Sequence, residues 1–257
     1  MNIYQHFRPE EREYIDQVMQ WRDYVESTYA TKLTDFLDPR EQHILKVIIG
    51  ENGNVNVHLF GGILGSERQR ALIVPEYITP EPEDYQLSLY EINYPMKFVK
   101  IEHPQVLGTL MSLGLKRGKF GDILVQDGKV QFFCAREVGV YIETNLESIG
   151  RASVELKEMS LKEAIFTDNS WIENSITVSS LRLDTMVSGI HNLSRQKSQL
   201  FIQQGLVRVN WTLIENSSFD CAEGDLISVR GYGRVKILSI EGRTKKDKWR
   251  IVIGKQK

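Results

Sequence analysis

The sequence predicts an α+β protein: a mixed α/β N-terminal and middle region, then a small C-terminal module of two helices and a sheet. Three observations carry that prediction. Apolar residues recur at helical spacing in some windows and alternate in others, and neither pattern runs the length of the chain. A strong hairpin signal, GDILVQDGKVQFFCA, sets two apolar runs around Asp127-Gly128 between helical stretches. Charge is also divided unevenly. Of the 32 Lys and Arg and 34 Asp and Glu, residues 181–257 hold 14 and 7, a net +7, which leaves 18 and 27, a net −9, for residues 1–180. A basic module on an acidic body points to an anionic partner for the module. An incidental excess of solvated charge explains the split equally well.

The bulk composition narrows the class. At 257 residues, 41% hydrophobic and 26% charged, the chain has the make-up of a globular protein of two or three domains. The expected divisions are an N-terminal α/β domain at 1–75, a middle α+β domain at 76–165 and a small basic C-terminal domain at 180–257. No run of about 18 apolar residues suggests a membrane span. The opening MNIYQHFRPEEREY has no apolar signal core, so a cytoplasmic protein without membrane partners is expected. Cys134 and Cys221 stand alone, which fits neither a disulfide framework nor a zinc site. Cys134, inside QFFCA, reads as a small buried residue.

Each element has its own signal. Residues 10–29 form a helix with Tyr14, Val18, Trp21 and Val25 on one face. DFLDPREQHILKVIIG encodes a second helix, with Asp38 as N-cap, Pro39 at the first position and Gly50 at the end. NVNVHLF and RALIVP read as strands around the glycine-rich GGILGSERQR. PEYITPEPED, with three prolines, is an irregular connection. YQLSLYEI and MKFVKIE read as strands, and HPQVLGTLMSLG as a helix with Val106, Leu107, Leu110 and Met111 on one face. After the hairpin, EVGVYIETNLESI returns to helix and RASVELKEM closes the region as a strand. The polar TDNSWIENSITVSS marks the next boundary.

The C-terminal module opens with LRLDTMVSGI, where Leu183, Met186, Val187 and Ile190 fall at helical spacing. Ser194 caps a second helix, in which Leu200, Phe201 and Ile202 supply apolar contacts. Gly205 sits at the expected left-handed end. LVRVN is a short strand, and GDLISVRGYGRVKILSI reads as paired strands with Gly231 and Gly233 permitting a bulge or a close approach. In the tail GRTKKDKWRIVIGKQK, Trp249 among cations reads first as strand core. Base stacking is its alternative use. The second helix poses a problem. Arg195 and Lys197 follow its cap at once, although the free N–H groups and the macrodipole favour negative charge there. Each cation costs a few tenths of a kcal/mol in isolation. A bound phosphate would reverse the sign.

The blocks RLD, SR-x-K, G-LV-x-VNW and EGD-x-I-x-VRG-x-GR, in that order over about residues 180–240, resemble a small RNA-binding domain. That domain occurs in ribosomal small-subunit protein four, in tyrosyl-tRNA synthetases and beside pseudouridine synthases. The resemblance implies RNA contacts at Arg182, Ser194, Arg195, Lys197 and Arg208, with Arg230 and Arg234 as additions. It implies structural roles for Asp184, Gly205, Val209, Asn210 and Asp225. Such contacts would read backbone and shape more than sequence. With GG…SER-x-R…P near the N-terminus and LG-x-LMSLGLKRGKFGDILV in the middle, the whole chain resembles the YlmH family. Membership implies a non-enzymatic factor that binds the large ribosomal subunit with peptidyl-tRNA, contacts ribosomal RNA and tRNA, and serves ribosome-associated quality control. It further implies a monomer off the ribosome, with no cofactor. Lys116 and Arg117, with Lys119, form a second basic cluster. RNA contact and a solvated turn are about equally weighted there.

Two other classes remain open. RLDTMVSG is superficially like the catalytic Asp motif of pseudouridine synthases, but Thr185 stands at the wrong spacing. GGILGSER has neither GxGxxG nor a Walker lysine. The five His residues, 6, 43, 58, 103 and 191, show no metal or triad spacing. No catalytic or metal residue is therefore expected, and an RNA-modifying enzyme is the alternative. A cell-division-linked interaction protein is a third reading, suggested by the gene context of the family.

Overall fold

In the computed structural model, which describes residues 4, 7, 11–50, 53–166 and 171–256, packing separates two units, residues 1–167 and 168–257. The first opens with α1 (Arg12–Thr28), which buries Ile15, Val18 and Val25 and ends at Tyr29 with φ 57°. Tyr14 and Trp21 lie at the margin of that face, edge to face at 6.1 Å. Next comes β1 (Lys32–Leu37). Alternation does not reveal this strand, because Thr34 and Asp35 fall within a register shift against its partner. α2 (Pro39–Ile49) starts where its sequence places it. The Asp38 carboxylate accepts from the amides of Arg40 and Glu41, and the Glu41 side chain accepts from the Asp38 amide. β2 (Val55–Phe60) and β3 (Gln69–Pro75) complete an antiparallel sheet of order β1-β3-β2. Packing accounts for the glycine-rich loop between them. Gly62 has φ 101°, and a Cβ there would come within 2.2 Å of the Phe133 ring.

The rest of the first unit runs β4 (Leu87–Asn93), α3 (His103–Ser112), β5 (Phe120–Gln126), β6 (Lys129–Ala135), α4 (Gly139–Asn145), the ribbon β7 (Ser148–Ile149) and β8 (Ala152–Ser153), and β9 (Glu155–Met159). Its sheet has the order β5-β6-β4-β9. The hairpin turns at Asp127 and Gly128, both at positive φ, as its sequence predicts. Phe120, Phe132, Phe133, Leu89, Leu110 and Cys134 fill its core, together with Phe36, Leu72 and Val74 from the N-terminal strands. Residues 1–75 and 76–165 thus share a core and pack as one unit. MKFVKIE is no strand: the Pro95 carbonyl accepts from the amides of Phe98 and Val99 at 2.9 and 3.2 Å, which closes the segment into a turn.

The second unit contains β10 (Trp171–Val178), α5 (Leu183–His191), α6 (Arg195–Gln203), β11 (Val207–Val209), β12 (Thr212–Leu213), β13 (Leu226–Val229), β14 (Gly233–Arg243) and β15 (Trp249–Gln256). Its sheet has the order β10-β15-β14-β13-β11-β12. The polar stretch read as a boundary therefore contains a strand. Among the described residues, β10 is an edge strand that pairs only with β15, and Glu173, Asn174 and Ser175 are exposed, so no apolar run was required. Leu183, Met186, Val187 and Ile190 are all buried on α5, against Ile202, Val207, Val209, Ile227, Val235 and Ile251. Each such side chain stabilises the fold by about 2 kcal/mol. Leu200, expected to join them, is exposed, while Phe201 is half-buried. Trp249 packs against this core, as its position in the tail predicts.

Candidate nucleic-acid interface

Asp184 explains how the module carries cations at the start of α6. It projects from the first turn of α5 and its side chain is fully buried. Burial alone would raise its carboxyl. Hydrogen bonds from Gln199, Arg195 and Arg182 outweigh burial and hold it at about 2. Gln199 Nε2 donates at 2.8 Å, Arg195 Nε at 3.0 Å, and Arg182 Nε and Nη2 at 3.3 Å each. Arg195 uses only Nε in this bond, and its side chain is 56% exposed. Its terminal nitrogens are therefore oriented toward solvent by an anchored stem. One unfavourable helix-start charge is thus compensated from below by a buried carboxylate.

The surface continues from there. Ser194 Oγ accepts from the Lys197 amide at 3.2 Å, which makes the predicted cap. The Lys197 ammonium lies 5.6 Å from the centroid of the Phe201 ring, one turn along α6. Phe201 packs against Tyr232 at 5.6 Å, and Tyr232 against His191 at 5.2 Å. Gly231 and Gly233, both at positive φ, turn the chain beside Tyr232, next to the exposed Arg230. Arg182, Ser194, Arg195, Lys197 and the Arg230 turn therefore form one connected surface.

Arg208 and Arg234 belong to another face. Val207 and Val209 point into the core, so Arg208 points away from the helices. It pairs in register with Ser228, which pairs with Arg234, so the three form a row on the outer side of the sheet. Arg208 Nη1 donates to the Trp211 carbonyl at 2.8 Å. The positions matched as structural behave as such. Gly205 has φ 69°. Asn210 has φ 49°, donates to Asp225 and accepts from the Leu226 amide. Gln199 was absent from the predicted contacts. Its place one turn after Arg195, on the same helix face, is the signal that finds it.

The cluster in the first unit is organised differently. Arg117 Nη1 donates to the Phe120 carbonyl at 2.6 Å. Burial, with the charge of Arg68 nearby, lowers the guanidinium to about 10. Lys119 bonds Asp35 at 2.6 Å and Glu137 at 3.0 Å. Only Lys116 of the three is exposed. The turn borders a cleft of about 580 Å³, where Lys32, Arg68, Lys116 and Arg117 face Asp35, Asp38 and Glu41. Most of the positive charge of that lining is offset by carboxylates in the same cleft. The structure thus brings Lys116 and Arg117 to a cleft of mixed charge rather than onto a uniformly basic surface. Among the described residues, no group of His, Cys, Asp and Glu converges as a metal site would. No described helix is long and apolar enough to cross a membrane.

Comparison with known proteins agrees along the chain. The family model "YlmH, N-terminal" matches residues 10–78, and "Putative RNA-binding domain in YlmH" matches residues 80–163. The S4 domain model matches residues 181–227, which contain Asp184 and α6. The Bacillus subtilis (strain 168) "Ribosome-associated protein quality control protein P2" is 44% identical over 256 residues, covering 100% of this chain and 99% of that protein. A solved structure, "Cell division protein ylmH from Streptococcus pneumoniae", is 36% identical with a TM-score of 0.55, over 64% of this chain and all of that one. With full-length similarity at this level and all three domain models matched, the chain belongs to the YlmH family.

Proposed function

We propose that this protein is a ribosome-associated RNA-binding factor that acts without catalysis in the cytoplasm, as a monomer off the ribosome. Its RNA would be ribosomal RNA and tRNA, met on the large ribosomal subunit with peptidyl-tRNA during quality control of stalled nascent chains. The observation that carries this reading is the anchored arginine pair: a buried Asp184 orients Arg182 and Arg195 beside the open amides of α6. Such a surface suits phosphate oxygens, because charge-assisted bonds from a preoriented guanidinium lose little entropy on binding. The S4 domain match and the quality-control name of the Bacillus relative support the same partners. Asp184 is also the aspartate of RLDTMVSG, the segment superficially like the pseudouridine-synthase motif. It is enclosed by four side-chain donors, Arg182, Thr185, Arg195 and Gln199, rather than open to a substrate, which favours binding over catalysis.

The test is co-sedimentation with separated ribosomal subunits across a salt series, beside Arg195→Ala/Lys197→Ala. Large-subunit binding that falls steeply with salt, and that the double variant loses by about tenfold or more, is the expected result. Wild-type protein that ignores both subunits would sink the proposal. A second reading, a division-linked interaction protein, is favoured by the name of the pneumococcal relative. Normal division in cells carrying the double variant, with ribosome binding lost, would separate the two roles.

A further inference from the structure

The C-terminal hairpin extends past its neighbours. β13 pairs with β14 only from Gly233 to Lys236. On the other side, β10 ends at Val178, level with Trp249. The turn at 244–248 therefore runs beyond every adjacent strand of the sheet. It is ordered by its own bonds: the Thr244 amide donates to the Lys248 carbonyl, and the Asp247 amide to the Thr244 carbonyl. Trp249 is held by the core, and the Arg243 guanidinium lies over its ring at 4.9 Å while pairing with Asp247. Around that braced pair, Lys245, Lys246, Lys248 and Arg250 are exposed. Among the described residues, no carboxylate forms an ion pair with any of these four.

From Arg243 to Arg250 the chain thus displays five cations and one acid. Arg243 has a packing and pairing role, but the other four are exposed and lie close enough in sequence to repel one another. The location is informative. Val178, opposite Trp249, is four residues before Arg182, so the base of the hairpin tip lies one strand spacing plus at most about 14 Å of chain from Arg182. A contiguous polyanion crossing the start of α6 has the length to reach both. We propose that the tip at 243–250 is a second RNA contact, a basic β-ribbon that takes the phosphate backbone of the nucleic acid held at Arg182 and Arg195. Chemically it suits a regular run of phosphates rather than base edges, since lysines act as point charges without bidentate geometry. This inference rests on the RNA-binding reading and extends it beyond the S4 match, which stops at residue 227.

The experiment uses the full chain. Lys245→Gln/Lys246→Gln/Lys248→Gln and the matching triple Lys→Arg variant are titrated with fluorescein-labelled unfractionated tRNA and with salt-washed large ribosomal subunits, over a range of potassium chloride. Vesicles of phosphatidylglycerol and phosphatidylcholine serve as a second polyanion. Expected for the Gln variant are affinity about tenfold weaker on at least one RNA probe and a log–log salt slope shallower by about two. Its melting temperature should be unchanged or higher, because like charges were removed, and the Arg variant should bind as wild type does. A purely structural role would instead lower the melting temperature. Wild-type affinity and slope on both RNA probes would overturn the inference, as would a loss confined to vesicles. In both cases, wild-type binding to RNA would leave the broader reading standing. Failure of the wild-type protein to bind either RNA probe would overturn both.

Discussion

Two basic clusters look alike in the sequence, Ser194-Arg195-Gln196-Lys197 and Lys116-Arg117-Gly118-Lys119, and the folded chain uses them in opposite ways. At the first, a single buried carboxylate grips the inner edge of Arg195 and leaves its outer edge to solvent. At the second, carbonyls and carboxylates of the chain itself take up the donors: Arg117 serves Phe120, and Lys119 serves Asp35 and Glu137. The lesson is that a run of cations says little about a ligand. What matters is how many internal acceptors the fold brings to them, and on which side.

Removing the buried anchor is the most severe way to break this contrast. Asp184→Ala should cost about 3 kcal/mol, because four side-chain donors lose their acceptor and two arginines are left side by side. RNA affinity of the protein that remains folded should fall as well. Chemical denaturation together with tRNA titration checks both, and full RNA affinity in the variant would mean that orientation by Asp184 does not matter.

Acid should expose the same anchor. Since the Asp184 carboxyl is held at about 2 in the folded chain and has a value near 4 when unfolded, its stabilisation is present above about pH 4. It disappears as pH falls through about 2, for a total of about 2 kcal/mol. The stability gap between wild type and Asp184→Asn should therefore narrow between those limits. A gap independent of pH would argue against the ionised anchor.

Arg117→Ala tests the other cluster and should show the reverse balance. It should cost about 2 kcal/mol through unpaired carbonyls and lost stem packing, with RNA affinity per folded molecule unchanged. Reduced affinity at undiminished stability would place Arg117 on an RNA surface after all. The smallest effect belongs to Lys116→Ala, an exposed residue, for which thermal melts should show a change within about 0.5 kcal/mol.

Much of this was legible beforehand, where the cause is local. Asp38 and Pro39 start α2, Ser194 caps α6, and Asp127-Gly128 turn the hairpin, because capping and turn formation involve residues only a few positions apart. The helical spacing of Leu183, Met186, Val187 and Ile190 located the core face of α5. Less legible were β1 and β10, whose sequences do not alternate. A register shift interrupts one, and an edge position relieves the other of apolar residues. The expected strand at MKFVKIE failed because Pro95 provides a turn acceptor that outweighs the apolar pattern.

The site divides along the same line. Residue types and their order were enough to mark Arg182, Ser194, Arg195 and Lys197 as belonging together, since the two helices that carry them are adjacent in sequence and short. Only the tertiary structure placed Arg208 and Arg234 on the opposite face of the sheet, because facing is set by which neighbours are buried. It alone brought Asp35 and Glu137, more than 80 and nearly 20 residues away in sequence order from their partner, onto Lys119. The chain by itself determined its elements, its caps and its charge asymmetry, all of which depend on near neighbours. Whether a given cation faces solvent or is already paired depends on acceptors that only folding delivers.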